Sequence, residues 1–228
     1  MNGQAAATLL VVATLAASGC GDEAPETDPR RDRALIEAAA AGNREAVTHL
    51  LGEGASVDAA DGTGRTALVA ASYGNHVAVA EALIDAGADV NVEDDSQQSA
   101  FLIATSEVGD DPRLLDLTLR NGADVDATDS YDGTGLIRAA DRGYLRIVRR
   151  LLETEMDVDH VNRLGWTALL EAVILGGGDA EHTDVVRALV EEGGADVGIP
   201  DGNGTTALGH ARDHGYEEIV AILAAAEG

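Results

Sequence analysis

The chain has 228 residues, and its 41 acidic side chains outnumber its 15 basic ones, for a net charge of −26. Charge of this sign excludes the cationic footprint that nucleic-acid binding requires, and an aromatic content of 3% leaves few rings on which bases could stack. The single cysteine excludes an internal disulfide framework, a paired-cysteine redox centre and a cysteine-rich zinc site.

Residues 1–19 carry no charge, and Thr8 to Ala17 form an apolar run too short to span a bilayer comfortably. Small residues follow, ending at the cysteine: Ala16-Ala17-Ser18-Gly19-Cys20. The segment resembles a bacterial lipoprotein signal. That resemblance implies export, removal of residues 1–19 and acylation of Cys20, which would hold the chain on a membrane of the cell envelope. Ala17-Ser18-Gly19 also suits an ordinary export cleavage site, which would release a secreted chain. Residues 20–30 are acidic, contain Pro25 and Pro29 and offer almost nothing to bury, so they are expected to form a tether.

From residue 31 onward one pattern of about 33 residues recurs, and recurrence at this period predicts stacked units without a central core. Thr66, Ser99, Thr134, Thr167 and Thr206 each precede a short apolar stretch, where a hydroxyl can cap the first helical turn. Leu68, Phe101, Leu136, Leu169 and Leu208 follow two residues later. Small residues such as Ala70-Ala71 and Ala139-Ala140 allow close helix approach. Gly42, Gly74, Gly143 and Gly215 are expected to end this first helix. A second helix carries apolar pairs, among them Leu83-Ile84, Leu151-Leu152 and Leu189-Val190, and runs into Gly-Ala turns such as Gly87-Ala88. Residues 31–60 show only the second half of the pattern.

This pattern resembles the ankyrin repeat, and the resemblance covers residues 31 to 226. It implies an all-α solenoid of six helix-turn-helix units with β-hairpin-like tips, divided at 31–60, 61–94, 95–128, 129–161, 162–200 and 201–228. Ala67, Ala100, Gly135, Ala168 and Ala207 stand where the family has proline, and Glu155-Met156 replaces the fourth Gly-Ala turn. Two units have longer connections between their helices, at 107–112 and 176–182. In the first, Asp111-Pro112 has the form of an N-cap and first helical residue.

The resemblance implies a protein-binding role without catalysis or cofactor, through a concave face formed by tips and first helices. The tip residue before each hydroxyl falls on that face, which selects Arg65, Gln98, Trp166 and Thr205 as partner contacts. Tyr73 from a first helix and Tyr131 near the fourth tip join them. Trp166 is the only tryptophan, and large aromatic side chains are frequent anchors of binding energy. An unknown protein with a basic surface is the expected partner, and self-repulsion favours a monomer. Two other readings are open. One is a metal-dependent hydrolase built on the fifth-unit loop with His182, His210 and His214; the other is an envelope spacer with no specific partner. The acidic turns around Asp89 and Asp124 lack the closing glutamate of a calcium loop, and no nucleophile or phosphate motif is present.

Overall fold

The computed structural model describes residues 28–227; the expected leader 1–19 and the lipidation site Cys20 lie outside the described residues. Twelve helices follow one another in the described chain: α1 (Pro29–Ala40), α2 (Arg44–Gly52), α3 (Ala67–Tyr73), α4 (Val77–Asp85), α5 (Ala100–Ser106), α6 (Arg113–Arg120), α7 (Gly135–Asp141), α8 (Leu145–Leu152), α9 (Ala168–Leu175), α10 (Ala180–Glu191), α11 (Ala207–His214) and α12 (Glu217–Ala226). They pair as six antiparallel hairpins. The odd-numbered helices pack into one row and the even-numbered ones into another.

The five capping hydroxyls act alike. Thr66, Ser99, Thr134, Thr167 and Thr206 accept from the backbone N–H three residues on, satisfying a first-turn donor that has no intrahelical acceptor. The first helices of the second to fifth repeats are then largely buried, with every residue of α5 buried, whereas α11 in the last repeat buries only Ala207, Leu208 and Ala211. Phe101, Leu136, Leu170 and Leu208 fill the space between neighbouring hairpins. The tips between hairpins carry isolated antiparallel bridges, at Ala60–Thr66, Thr128–Thr134 and Pro200–Thr206.

The structure corrects the sequence reading at several points. The first unit is a full hairpin: α1 opens at Pro29, and Asp28 caps it by accepting from the Arg30 N–H. The end of the expected tether therefore belongs to the first repeat, with Asp28-Pro29 standing where later units have a capping Thr or Ser followed by Ala or Gly. Gly74 ends α3 as expected but in a right-handed conformation, and the next residue, Asn75 at φ +50°, makes the left-handed turn. As the replacement of Gly-Ala by Glu155-Met156 implied, the fourth unit has no left-handed residue at the turn after its second helix. α6 begins at Arg113, and the Asp111 carboxylate accepts from its N–H at 3.2 Å.

The second long connection is shorter than its sequence suggests. Asp179 caps α10, so residues 180–182 extend that helix and only Gly176 to Asp179 form the loop. Its glycines make room for two rings: a side chain on Gly176 would strike the His182 imidazole, and one on Gly178 would strike Tyr216.

Neighbouring second helices pack along the outer row, except that α6 and α8 meet only sparsely. Elsewhere the turns are laddered: Asp58 accepts from the Asp89 N–H, Asn91 from Asp124 and Asp159 from Asp196. Among the described residues no such bond joins Asp126 to Asp157. Other groups close this seam. Arg150 pairs with Asp116 at 2.6 Å. Arg138 reaches Ser106 and Glu107 across the first helices. The Asp110 carboxylate accepts from the N–H groups of Arg146 and Ile147, at the start of α8.

Candidate docking face on the hairpin tips

Each of the five tips is built on one side chain: Asp61, Asp94, Asp129, Asn162 or Asp201. Its Oδ1 accepts from the backbone N–H groups two and four residues on, at 2.8–3.2 Å. The residue between them adopts left-handed geometry: Gly64, Gln97, Asp132, Gly165 or Gly204. Such a turn satisfies its own donors and stands rigidly away from the helices. The Thr63 hydroxyl and backbone N–H also hold the Asp61 carboxyl down to about 2.

The second polar atom of the tip residue finds a partner nine residues on, in the first helix, in three successive repeats. Asp129 Oδ2 accepts from Arg138 Nη1 at 3.2 Å. Asn162 Nδ2 donates to Glu171 Oε1 at 2.8 Å. Asp201 Oδ2 meets His210 Nε2 at 2.9 Å. The Thr205 N–H first, and then the His210 side chain, hold Asp201 below the ordinary carboxylate value. The fifth repeat inverts the polarity. Its acid sits on the helix, so the tip carries an amide that can donate.

Glu171 is 6% exposed, and burial pushes its carboxyl up to about 7. Asp141 and Asp129 add to the rise, and the Asn162 hydrogen bond opposes it.

Four of the six tip and helix residues expected to contact a partner come together. Tyr73, Gln98 and Tyr131 line an open depression of about 530 Å³ with Ser106, Glu107 and Arg138. Tyr131 and Trp166 line a smaller one of about 230 Å³ with Leu164, Leu175 and Glu171. The two adjoin, sharing Asp129, Tyr131, Arg138 and Asp141. Tyr131 is 63% exposed, Leu164 54% and Leu175 51%, whereas Trp166 is half-buried with its body against the core. Tyr131 is pinned from the next tip, where the Arg163 N–H donates to its carbonyl at 2.9 Å. The Tyr73 hydroxyl lies 3.3 Å from Asp94 Oδ2, and its burial and that acid raise the phenol above its ordinary value. Arg65 lines a separate depression with α1, paired to Asp61. Thr205 stands at the last tip, its N–H on Asp201.

The sequence reading missed Leu164, Leu175 and the Asn162–Glu171 pair. The recurrent nine-residue spacing of complementary polar residues was the signal that could have revealed the pair.

The histidines of the hydrolase reading are engaged locally. His182 lies between the Asp179 carboxylate and the Asp141 carbonyl, at 2.8 and 2.9 Å. His76 makes the matching inter-repeat contact with the Ala40 carbonyl. His214 bonds the His210 carbonyl and stacks on Tyr216. Among the described residues no three His, Cys, Asp or Glu side chains converge as metal ligands. Asp89 and Asp124 accept from the N–H groups of Asn91 and Asp126 in their own turns. Glu171 and Asp179 serve different elements: one bonds a tip and the other caps α10.

Stacked helical hairpins, with their tips beside a row of short first helices, define a repeat solenoid. The chain belongs to the ankyrin repeat family: the family model for ankyrin repeats (3 copies) matches residues 4–94 and 101–201. It is 38% identical over 190 residues to the ankyrin repeat protein YahD of Escherichia coli (strain K12), covering 83% of this chain and 93% of that one. Among solved structures, an ankyrin repeat domain from Acinetobacter baumannii AYE aligns with a TM-score of 0.79 and 42% identity, over 85% of this chain and 97% of that one. The ankyrin repeat domain of Bcl-3, described as a member of the IkappaB family, aligns at 0.74 and 28%, over 85% of each chain. Ankyrin repeats are a general protein–protein interaction module.

Proposed function

We propose that this protein docks a partner protein on the tips and first helices of its second to fifth repeats, with Tyr131 and Trp166 at the centre. The observation that carries this reading is the run of Tyr73, Tyr131, Leu164, Trp166 and Leu175 through two adjoining depressions. Aromatic and aliphatic groups held on rigid turns lose little entropy on binding, which is how a few residues come to dominate an interface. Carboxylates rim the same depressions, so a partner with a basic surface is the electrostatic complement.

Replacing Tyr131 with a photo-crosslinking amino acid in the native cell, followed by identification of the captured protein, tests the reading. One protein crosslinked at Tyr131, and released by Trp166→Ala while the fold is retained, is the expected result. Equal capture from Tyr131 and from exposed positions on α4 or α8 would refute it.

The reading extends to location through the sequence alone. The uncharged residues 1–19 and the small residues before Cys20 support an exported, lipid-anchored chain on the cell envelope. Mass spectrometry of the mature N-terminus decides this; an unmodified Cys20 removes the anchor.

A further inference from the structure

The smaller depression has a chemistry of its own. It is lined by Glu171, a residue more than nine-tenths buried. One carboxylate oxygen accepts from Asn162, and the other has no hydrogen-bond partner among the described residues. Asp141 and Asp129 stand close enough to repel it. Among the described residues Arg138 is the only base lining the depression, and it is engaged elsewhere: with Asp129, the Ser106 hydroxyl and Glu107. Asp141 has a distant cation in Arg142, at 3.8 Å. The walls are Tyr131, Leu164, Trp166 and Leu175. A cleft with apolar and aromatic walls and an uncompensated carboxylate in its lining complements a long side chain with an aliphatic stem and a cationic end.

Resting on the docking face described above, we propose that the cleft between the fourth and fifth repeats receives one arginine side chain of the partner. Its stem lies along Leu164 and Leu175, and its guanidinium meets Glu171 and Asp141. The planar guanidinium fits better than a lysine ammonium, because it offers donors to two carboxylates at once and stacks on aromatic faces. The other tip–helix pairs lack this opening. Arg138 neutralises Asp129, and His210 is held by Asp201.

Trp166 is the chain's only tryptophan and lines the cleft, so its fluorescence reports occupancy directly. The test titrates the full chain with a short blocked peptide carrying one arginine between alanines, and with the same peptide carrying citrulline, the uncharged analogue of nearly the same shape. The arginine peptide should bind at least tenfold more tightly. Glu171→Gln should abolish most of that difference; circular dichroism confirms that the variant folds. Equal affinity for the two peptides, or an unchanged preference in Glu171→Gln, overturns the proposal. Photo-crosslinking at Tyr131 separates the two levels. A captured partner held equally by wild type and Glu171→Gln leaves the docking face standing and removes the slot, whereas absence of any specific capture removes both.

Discussion

The carboxylate of Asp110, in the third repeat, sits 3.0 Å from the backbone nitrogen of Ile147, in the fourth. Its second oxygen takes the Arg146 N–H at 3.1 Å. α8 starts at Leu145, and its N-cap residue Tyr144 makes no side-chain capping bond, so the cap comes from another repeat. The long connection at 107–112 thus has a structural task. It supplies an N-cap across the seam where α6 and α8 meet only sparsely. Asp110→Ala should cost about 1 kcal/mol, the usual worth of a lost N-cap, read as a lower midpoint in urea denaturation. The same change at the exposed Asp126, which accepts no inter-repeat bond, should leave the midpoint nearly unmoved.

Glu171 makes stability depend on pH. Its folded-state carboxyl titrates near 7, above the ordinary value of 4.5 that applies when the chain is unfolded. Between those values the folded form holds a proton that the unfolded form has released, so stability is greatest below 4.5 and falls as pH rises to about 7. The loss is at most about 3 kcal/mol. Asp61 and Asp201, depressed in the fold, act oppositely, but only below the ordinary value of 3.8. Thermal melts of wild type from pH 5 to pH 8 should show a falling midpoint. Glu171→Gln should flatten that slope and melt higher than wild type at pH 8. A parallel slope in the variant would assign the pH dependence elsewhere.

Asn162 follows from the same pair. A carboxylate at this position would face Glu171 with no donor between them, whereas the amide donates at 2.8 Å. Asn162→Asp should therefore destabilise the chain at pH 8 by about 1–3 kcal/mol, the range for a buried polar group that loses its partner, and by less at pH 5, where Glu171 is protonated. Combining it with Glu171→Gln should recover most of the loss, because the amide can donate in the opposite direction.

Gln97 occupies the left-handed position of the third tip at φ +58°, where the second, fifth and sixth repeats have Gly64, Gly165 and Gly204. Its side chain is exposed, so little packing is lost by removing it. Gln97→Gly should stabilise the chain by up to about 1 kcal/mol, the left-handed penalty relieved less the greater freedom of glycine when unfolded. A chemical denaturation series measures it.

Leu136 is fully buried between the third and fourth repeats. Leu136→Ala should cost about 2–5 kcal/mol. Trp166→Ala, with its side chain only half-buried at a tip, should cost less in stability and more in binding. Denaturation and partner capture on the same pair of variants separate packing from recognition.

Much of this architecture was legible in one dimension. The capping hydroxyls at Thr66, Ser99, Thr134, Thr167 and Thr206, the leucines two residues on and the apolar pairs of the second helices are local signals, each acting within a turn or two of its own position. Their recurrence alone determined a stack of helical hairpins and placed Trp166 and Tyr131 at tips. Tertiary structure decided what depends on the spacing between repeats. It made His76 and His182 ties to the preceding hairpin, turned a loop aspartate into the cap of a neighbouring helix, and set Glu171 in the lining of a cleft with one oxygen free. The inter-repeat partners lie 36, 41 and 37 residues apart. Packing distance, which no local propensity encodes, brings them within hydrogen-bond reach.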